Sequence, residues 1–114
     1  MERINNGLTP LPKTLDEAWE VFSDVMLEVT NIPDKSYLFP MDQDMLEELG
    51  LTSLQMNDGR ETLGNRHGIE IQGEPDRAKW PKTVADMFRK YVRYTPALAH
   101  LEANPNHELF SRTG

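Results

Sequence analysis

Apolar residues recur at helical spacing in the first third of the chain. Their separations are 4, 3, 4 and 3 residues, which is typical of one apolar face on a helix of about four turns. The face consists of Leu15, Trp19, Phe22, Met26 and Val29. Thr14 is placed to cap this helix I, and Glu17 completes a capping box three residues later. Because Pro33 lacks a backbone donor, we expect helix I to end at residues 31–34.

The middle of the chain predicts a long connection followed by a second helix. Residues 30–51 contain several apolar side chains that can pack the connection against the core. Within it, residues 43–49 fit a short helix that stops at Gly50, a residue suited to a C-terminal cap.

A second capping box, Thr52 with Gln55, predicts helix II over residues 53–66. Its glycines lower helix propensity, so we expect a weak or kinked stretch near Gly59. Residues 69–71 resemble a strand but are too isolated to build a sheet, and we expect their two isoleucines to fill the core.

The last third predicts two more helices. A proline in first position favours a short helix III over residues 75–79. Thr83 and Asp86 form a third capping box, which predicts a helix IV that ends near Tyr94. Residues 97–103 fit one further short helix. The predicted fold class is therefore all-α, a small four-helix bundle with a long loop between helices I and II and an extra C-terminal segment.

These elements divide the chain into three parts. Residues 1–13, with two prolines and an Asn-Asn-Gly turn signal, are expected to be an N-terminal tail. Residues 14–94 form the predicted bundle, and residues 95–114 form a C-terminal extension. At 114 residues the chain has the size of one domain with a modest core.

Charge narrows the possible partners. The net charge is −7, with −8 in residues 1–57 and +1 in residues 58–114. An acidic first half argues against nucleic-acid binding and favours basic partner surfaces, although a solvated acidic face explains the charge equally well. The chain has no cysteine, which excludes disulfides and thiolate nucleophiles. It has no apolar run that could span a membrane and no signal-peptide core at its N-terminus, so we expect a cytoplasmic protein.

The most informative segment is residues 47–55, which read Glu-Glu-Leu-Gly-Leu-Thr-Ser-Leu-Gln. A glycine ends an acidic turn, and a Thr-Ser pair then opens helix II. This pattern holds the hydroxyl of Ser53 at an exposed corner between a loop and a helix. The segment resembles the phosphopantetheine attachment site of acyl and peptidyl carrier proteins.

The resemblance to the carrier family covers roughly residues 14–93. A long first helix, a long loop and the serine string occur in the family's order, followed by Glu70-Ile71 and by Thr83-Val84 at the start of the last helix. The resemblance implies that Ser53 carries 4′-phosphopantetheine from coenzyme A and that an acyl or aminoacyl group rides on it as a thioester. The chain would then be a freestanding carrier and not an enzyme.

The resemblance also implies partners. These are a phosphopantetheinyl transferase and the enzymes that load and transfer the acyl group, and we expect the carrier to be a monomer. The expected docking surface consists of Glu47, Glu48, Thr52, Leu54, Met56, Arg60 and Glu61. Trp19 and Trp80 are interpreted as packing residues, with a cargo pocket as the alternative.

Several residues depart from the family pattern. Thr52 stands where aspartate is most common, and Asn57 and Gly59 occupy positions that are usually aliphatic. His67 replaces an aromatic or aliphatic residue, and Arg60 adds a base to an outer face that is usually acidic. These departures favour a specialised carrier with a dedicated partner over a general fatty-acid-synthesis carrier.

Two other functions stay open. The first is a helical protein-interaction module that shares the fold but is never loaded. The second is a small enzyme, which the sequence favours least because no activating base stands near Ser53 in the sequence and no motif marks an active site. The loop acids Asp42, Asp44, Glu47 and Glu48 lack the spacing of a calcium loop, so no metal site is predicted.

Overall fold

The computed structural model describes residues 8–98, the side chain of Arg77 excepted, and this part of the chain is all-α. It contains three α-helices, α1 (Leu15–Val29), α2 (Ser53–His67) and α3 (Val84–Arg93), and no strand. Two short 3-10 turns, Lys35–Leu38 and Arg77–Lys79, lie in the connections. No helix within residues 8–98 has the length and apolarity needed to cross a membrane.

Helix α1 begins and ends close to the predicted positions. The Thr14 hydroxyl accepts a hydrogen bond from the Glu17 amide at 3.1 Å, as the capping box requires. The Glu17 carboxylate accepts from the Lys13 amide at 2.8 Å, one residue before the expected donor. At the other end, Thr30 donates its hydroxyl to the Met26 carbonyl. The predicted apolar face packs into the core, where Trp19 lies 5.4 Å from Phe88 between ring centroids.

Helix α2 is continuous, and its glycines have a packing role. A Cβ added to Gly59 would lie 3.1 Å from Cε of Met87 on α3 and 3.4 Å from Sδ of Met26 on α1. A Cβ on Gly64 would lie only 2.6 Å from the carbonyl oxygen of Ile69. The helix is uninterrupted at Gly59, and these glycines let neighbouring segments approach it closely.

The loop before α2 differs from the prediction. Residues 43–49 form turns and not a short helix, because the carboxylate of Asp44 accepts from the amides of Leu46 and Glu47 at 2.9 and 2.8 Å. Such side-chain bonds replace the helical pattern. Gly50 follows with φ of 72°, the left-handed conformation that glycine adopts without strain.

Two backbone bonds tie this loop to the start of α3. The Met45 amide donates to the Lys82 carbonyl at 2.8 Å, and the Ala85 amide donates to the Met41 carbonyl at 2.8 Å. Met41 and Met45 are fully buried. The long connection is therefore packed at residues such as Leu38 and Met45, as predicted, but Tyr37 and Leu46, which were also expected to pack, are exposed.

The predicted helix III is reduced to the 3-10 turn at residues 77–79, so the fourth helix of the expected bundle is not confirmed. Pro81 disfavours helical geometry at Trp80 and limits the turn. Ile71 is buried and Ile69 packs against the core, as predicted. Helix α3 begins with the predicted capping box, in which Thr83 and Asp86 cap each other.

The two ends of the described chain also pack on the helices. The segment at residues 8–13, expected to be a tail, donates from the Thr9 amide to the Arg66 carbonyl at 2.6 Å, and Pro12 is buried. After α3, Thr95 and Leu98 are buried. Most of the short helix predicted at residues 97–103 lies outside the described residues.

Candidate functional site

Ser53 is the first residue of α2, and the side chain of Thr52 caps the N-terminus of this helix. The Thr52 hydroxyl accepts from the Gln55 amide at 3.1 Å, and the Gln55 side chain accepts from the Thr52 amide at 2.9 Å. Because threonine fills the cap, the Ser53 hydroxyl has no hydrogen-bond partner among residues 8–98. The side chain of Ser53 is half-buried at the corner.

The surroundings of Ser53 do not make it a self-activated nucleophile. A catalytic serine needs a base within hydrogen-bond reach, and no described histidine, lysine or carboxylate bonds its hydroxyl. The corner can offer a hydroxyl to another protein that brings its own base.

The exposed residues around the corner are mixed acidic and apolar. Leu54 is 69% exposed beside Ser53. Glu47, Glu48 and Thr52 are also exposed. Leu46, which was expected from the sequence to pack the loop against the core, is 44% exposed in the same loop. Glu61, further along α2, is exposed as expected of a docking residue.

Two expected docking residues have other roles. Met56 is only 4% exposed because it packs into the core, so its side chain is not part of an outer surface. Arg60 is largely buried and bonds its own domain. Its Nη1 donates to the Ile71 carbonyl at 2.5 Å, and its Nη2 donates to Oδ1 of Asn57 at 2.7 Å. Arg60 therefore holds the chain after α2 in place, and Asn57 orients Arg60.

A pocket of about 330 Å³ opens next to this arginine. It lies between α2, α3 and the segment at residues 71–81, and its lining is mainly apolar. The apolar part consists of Met56, Leu63, Ile71, Pro75, Trp80, Pro81, Met87 and Tyr91. The Trp80 indole donates to the Glu74 carbonyl, which closes residues 74–80 into a compact wall. Of the two tryptophans considered, Trp80 lines this pocket and Trp19 lies in the core.

The polar groups of the pocket carry net positive charge. Arg60, Lys90 and Glu74 line it. Burial lowers the pKa of Lys90, the charges of Arg60 and Arg93 lower it further, and Glu74 acts in the opposite direction. Burial also raises the pKa of the Tyr91 hydroxyl, which stays neutral. An apolar cavity with a few convergent polar groups is the usual form of a small-molecule site.

The described residues hold no group of three or more histidine, cysteine, aspartate or glutamate side chains arranged to bind a metal ion. Asp44, one of the loop acids, caps its own turn. His67 is buried and bonds Tyr91 and Thr9.

Comparison of the chain with protein-family models, curated proteins and solved structures gives no match.

Proposed function

We propose that this protein is a freestanding carrier that bears 4′-phosphopantetheine on Ser53. The observation that supports the proposal is the Ser53 hydroxyl, which is left without a partner at the start of α2 while Thr52 completes the cap. The resemblance of residues 47–55 to the carrier attachment site points to the same atom. In this interpretation the three helices and the turn at residues 77–79 correspond to a four-helix carrier bundle.

The attachment reaction fits a serine that lacks a base. The Ser53 oxygen forms a new bond to the phosphorus on the pantetheine side of coenzyme A, and 3′,5′-ADP leaves with the electron pair of the broken bond. The transferase supplies the base that takes the serine proton. The attached group supplies the terminal thiol that holds the cargo as a thioester, and the protein supplies position and recognition.

Recognition is assigned to the exposed residues around Ser53. Leu54 and Leu46 offer apolar contacts, and Glu47 and Glu48 offer charge to a basic partner surface. A buried apolar contact surrounded by polar groups is the common arrangement of a docking site. Thr52 stands where aspartate is most common in the family, and we assign the carrier to a dedicated partner in a specialised biosynthetic pathway of the cytoplasm.

The test is the intact mass of the protein before and after incubation with coenzyme A and a broad-specificity phosphopantetheinyl transferase. We expect a gain of one phosphopantetheine that is lost in Ser53→Ala. Ser36→Ala is the matched control, because Ser36 is an exposed serine near the start of a helical turn. Thr52→Asp retains a capping side chain and restores the residue common in the family, so it should load at least as fast as the wild type.

Failure of loading with several transferases would favour the interaction module instead. In that case Leu54→Glu should still abolish a partner complex, since the exposed leucine does not depend on the prosthetic group.

A further inference from the structure

The pocket begins one helical turn from Ser53 and extends away from it. Met56, Asn57, Arg60 and Leu63 line it from α2, at 3, 4, 7 and 10 residues beyond Ser53. At about 1.5 Å of rise per residue, Met56 lies ~4.5 Å and Arg60 ~10.5 Å further along the helix axis than Ser53. On α2, Arg60 is therefore further from the serine than Met56, and apolar Leu63 lies beyond Arg60.

The cations at the pocket differ in their partners. Arg60 is held by Asn57, by the Ile71 carbonyl and by Glu61 at 3.5 Å. Lys90 lines the same pocket from α3 but makes no hydrogen bond or ion pair with any residue in 8–98. A partly buried ammonium group with no hydrogen bond or ion pair costs free energy in the empty protein. An anion in the pocket would remove that cost.

The positive charge is local and opposes the charge of the chain. The protein has a net charge of −7, yet Arg60 and Lys90 stand against one carboxylate, Glu74, in the pocket lining. Glu74 is also engaged in its own turn, where it accepts from the Asp76 amide at 3.0 Å. A volume of about 330 Å³ is at the small end of the range for ligand sites, which suits a short or medium chain.

We propose that this pocket binds an aliphatic chain that ends in a carboxylate. The chain lies among Met56, Leu63, Met87 and Trp80, and the carboxylate pairs with Lys90. The same chemistry has two sources: a free fatty acid, or an acyl group on Ser53 whose far end carries a second carboxyl. The first source does not depend on the modification of Ser53, and the second rests on the proposed function.

The first experiment compares octanoate with octanol, which has the same chain length and no charge. Titration calorimetry should show saturable binding of octanoate that is tighter than that of octanol. Lys90→Met keeps the aliphatic stem and removes the charge, so octanoate should bind about tenfold more weakly while octanol is unaffected. Lys82→Met is the control, because Lys82 is exposed and does not line the pocket. Equal loss of both ligands in Lys90→Met would overturn the proposal, and absence of octanoate binding would exclude the free fatty acid as the source.

Methionine-methyl NMR locates the ligand. Octanoate should shift the signals of Met56 and Met87, which line the pocket, and leave those of Met41 and Met45 in place. Shifts confined to Met41 and Met45 would contradict the assigned site.

The second experiment separates the two sources. Ser53→Ala should bind free octanoate like the wild type. In the loaded protein, a chain of eight carbons with a terminal carboxyl should raise Tm more than an octanoyl chain, and Lys90→Met should remove that difference. Octanoate binding without any loading would refute the carrier and leave this pocket assignment intact. Loading without octanoate binding and without a Lys90-dependent difference would refute the pocket assignment and leave the carrier proposal intact.

Discussion

Nε2 of His67 lies 2.8 Å from the hydroxyl oxygen of Tyr91, and the two rings stack with centroids 5.8 Å apart. The other ring nitrogen, Nδ1, lies 2.7 Å from the Thr9 carbonyl oxygen. A carbonyl oxygen only accepts, so Nδ1 donates to it, and in the neutral tautomer the Tyr91 hydroxyl donates to Nε2. This pair joins the end of α2, the last turn of α3 and the N-terminal segment.

Tyr91→Phe tests the contribution of this bond to stability. The substitution leaves a buried imidazole nitrogen without its donor, so we expect a loss of about 1–2 kcal/mol in the free energy of unfolding. Urea denaturation measures it. Tyr94→Phe is the control, because the Tyr94 hydroxyl accepts from an exposed amide at 3.3 Å and its removal should cost less. Equal losses in the two variants would contradict a specific role for the His67 bond.

The same tyrosine predicts a dependence of stability on alkaline pH. Burial raises the pKa of Tyr91 above its usual value of 10.0, so the folded protein holds the phenolic proton more tightly than the unfolded chain does. The stability from this group is fully present below pH 10 and falls as the pH rises beyond it. The difference in unfolding free energy between wild type and Tyr91→Phe should therefore shrink above pH 10. A difference that is constant up to pH 11 would contradict the prediction.

Gly64→Ala and Gly59→Ala form a matched pair within α2. A methyl group at position 64 meets the Ile69 carbonyl oxygen, which is part of the backbone and cannot move without displacing the chain that leads to the pocket wall. We expect a loss of about 2 kcal/mol or more. At position 59 the nearest atom is the flexible end of Met87, and alanine gains about 1 kcal/mol of helix propensity. That variant should be near neutral in thermal denaturation, and a larger loss at position 59 than at 64 would refute this account.

Arg60→Met tests how the pocket wall is held. Without the guanidinium, the Ile71 carbonyl loses its 2.5 Å donor and Asn57 loses its partner, so we expect a loss of about 1–3 kcal/mol. Hydrogen exchange should also speed up for amides near residue 72. Arg60→Lys restores one donor but not the forked geometry, so it should recover only part of the loss. Unchanged exchange in Arg60→Met would show that the wall is held by other contacts.

The sequence correctly predicted the structural features that depend on residues close together in the chain. The caps at Thr14, Thr52 and Thr83 are local hydrogen-bond patterns, and they placed the starts of three helices within a residue. The left-handed glycine at Gly50 was likewise indicated by its local position after an acidic turn.

What the sequence did not predict depends on contacts between distant segments. Gly64 has a packing role because the chain folds back against α2 at Ile69. Helix propensity, which considers the residue alone, predicts only that this glycine destabilises the helix. Arg60 was interpreted as a surface residue because its acceptor at Ile71 is 11 residues away. The pocket forms where Trp80 and α3 pack near α2. The periodicity of apolar residues within one element does not predict such packing between elements.

The two backbone bonds between the loop and α3 set an order of events during synthesis. The acceptor for Met45 is the Lys82 carbonyl, and the donor to Met41 is the Ala85 amide, so both partners are made about 40 residues after the loop. Contacts over such a separation form only once the later segment is present. Until Ala85 has emerged from the ribosome, the loop before Ser53 therefore lacks these two stabilising hydrogen bonds. The serine corner is completed late, when nearly all of the described domain has emerged.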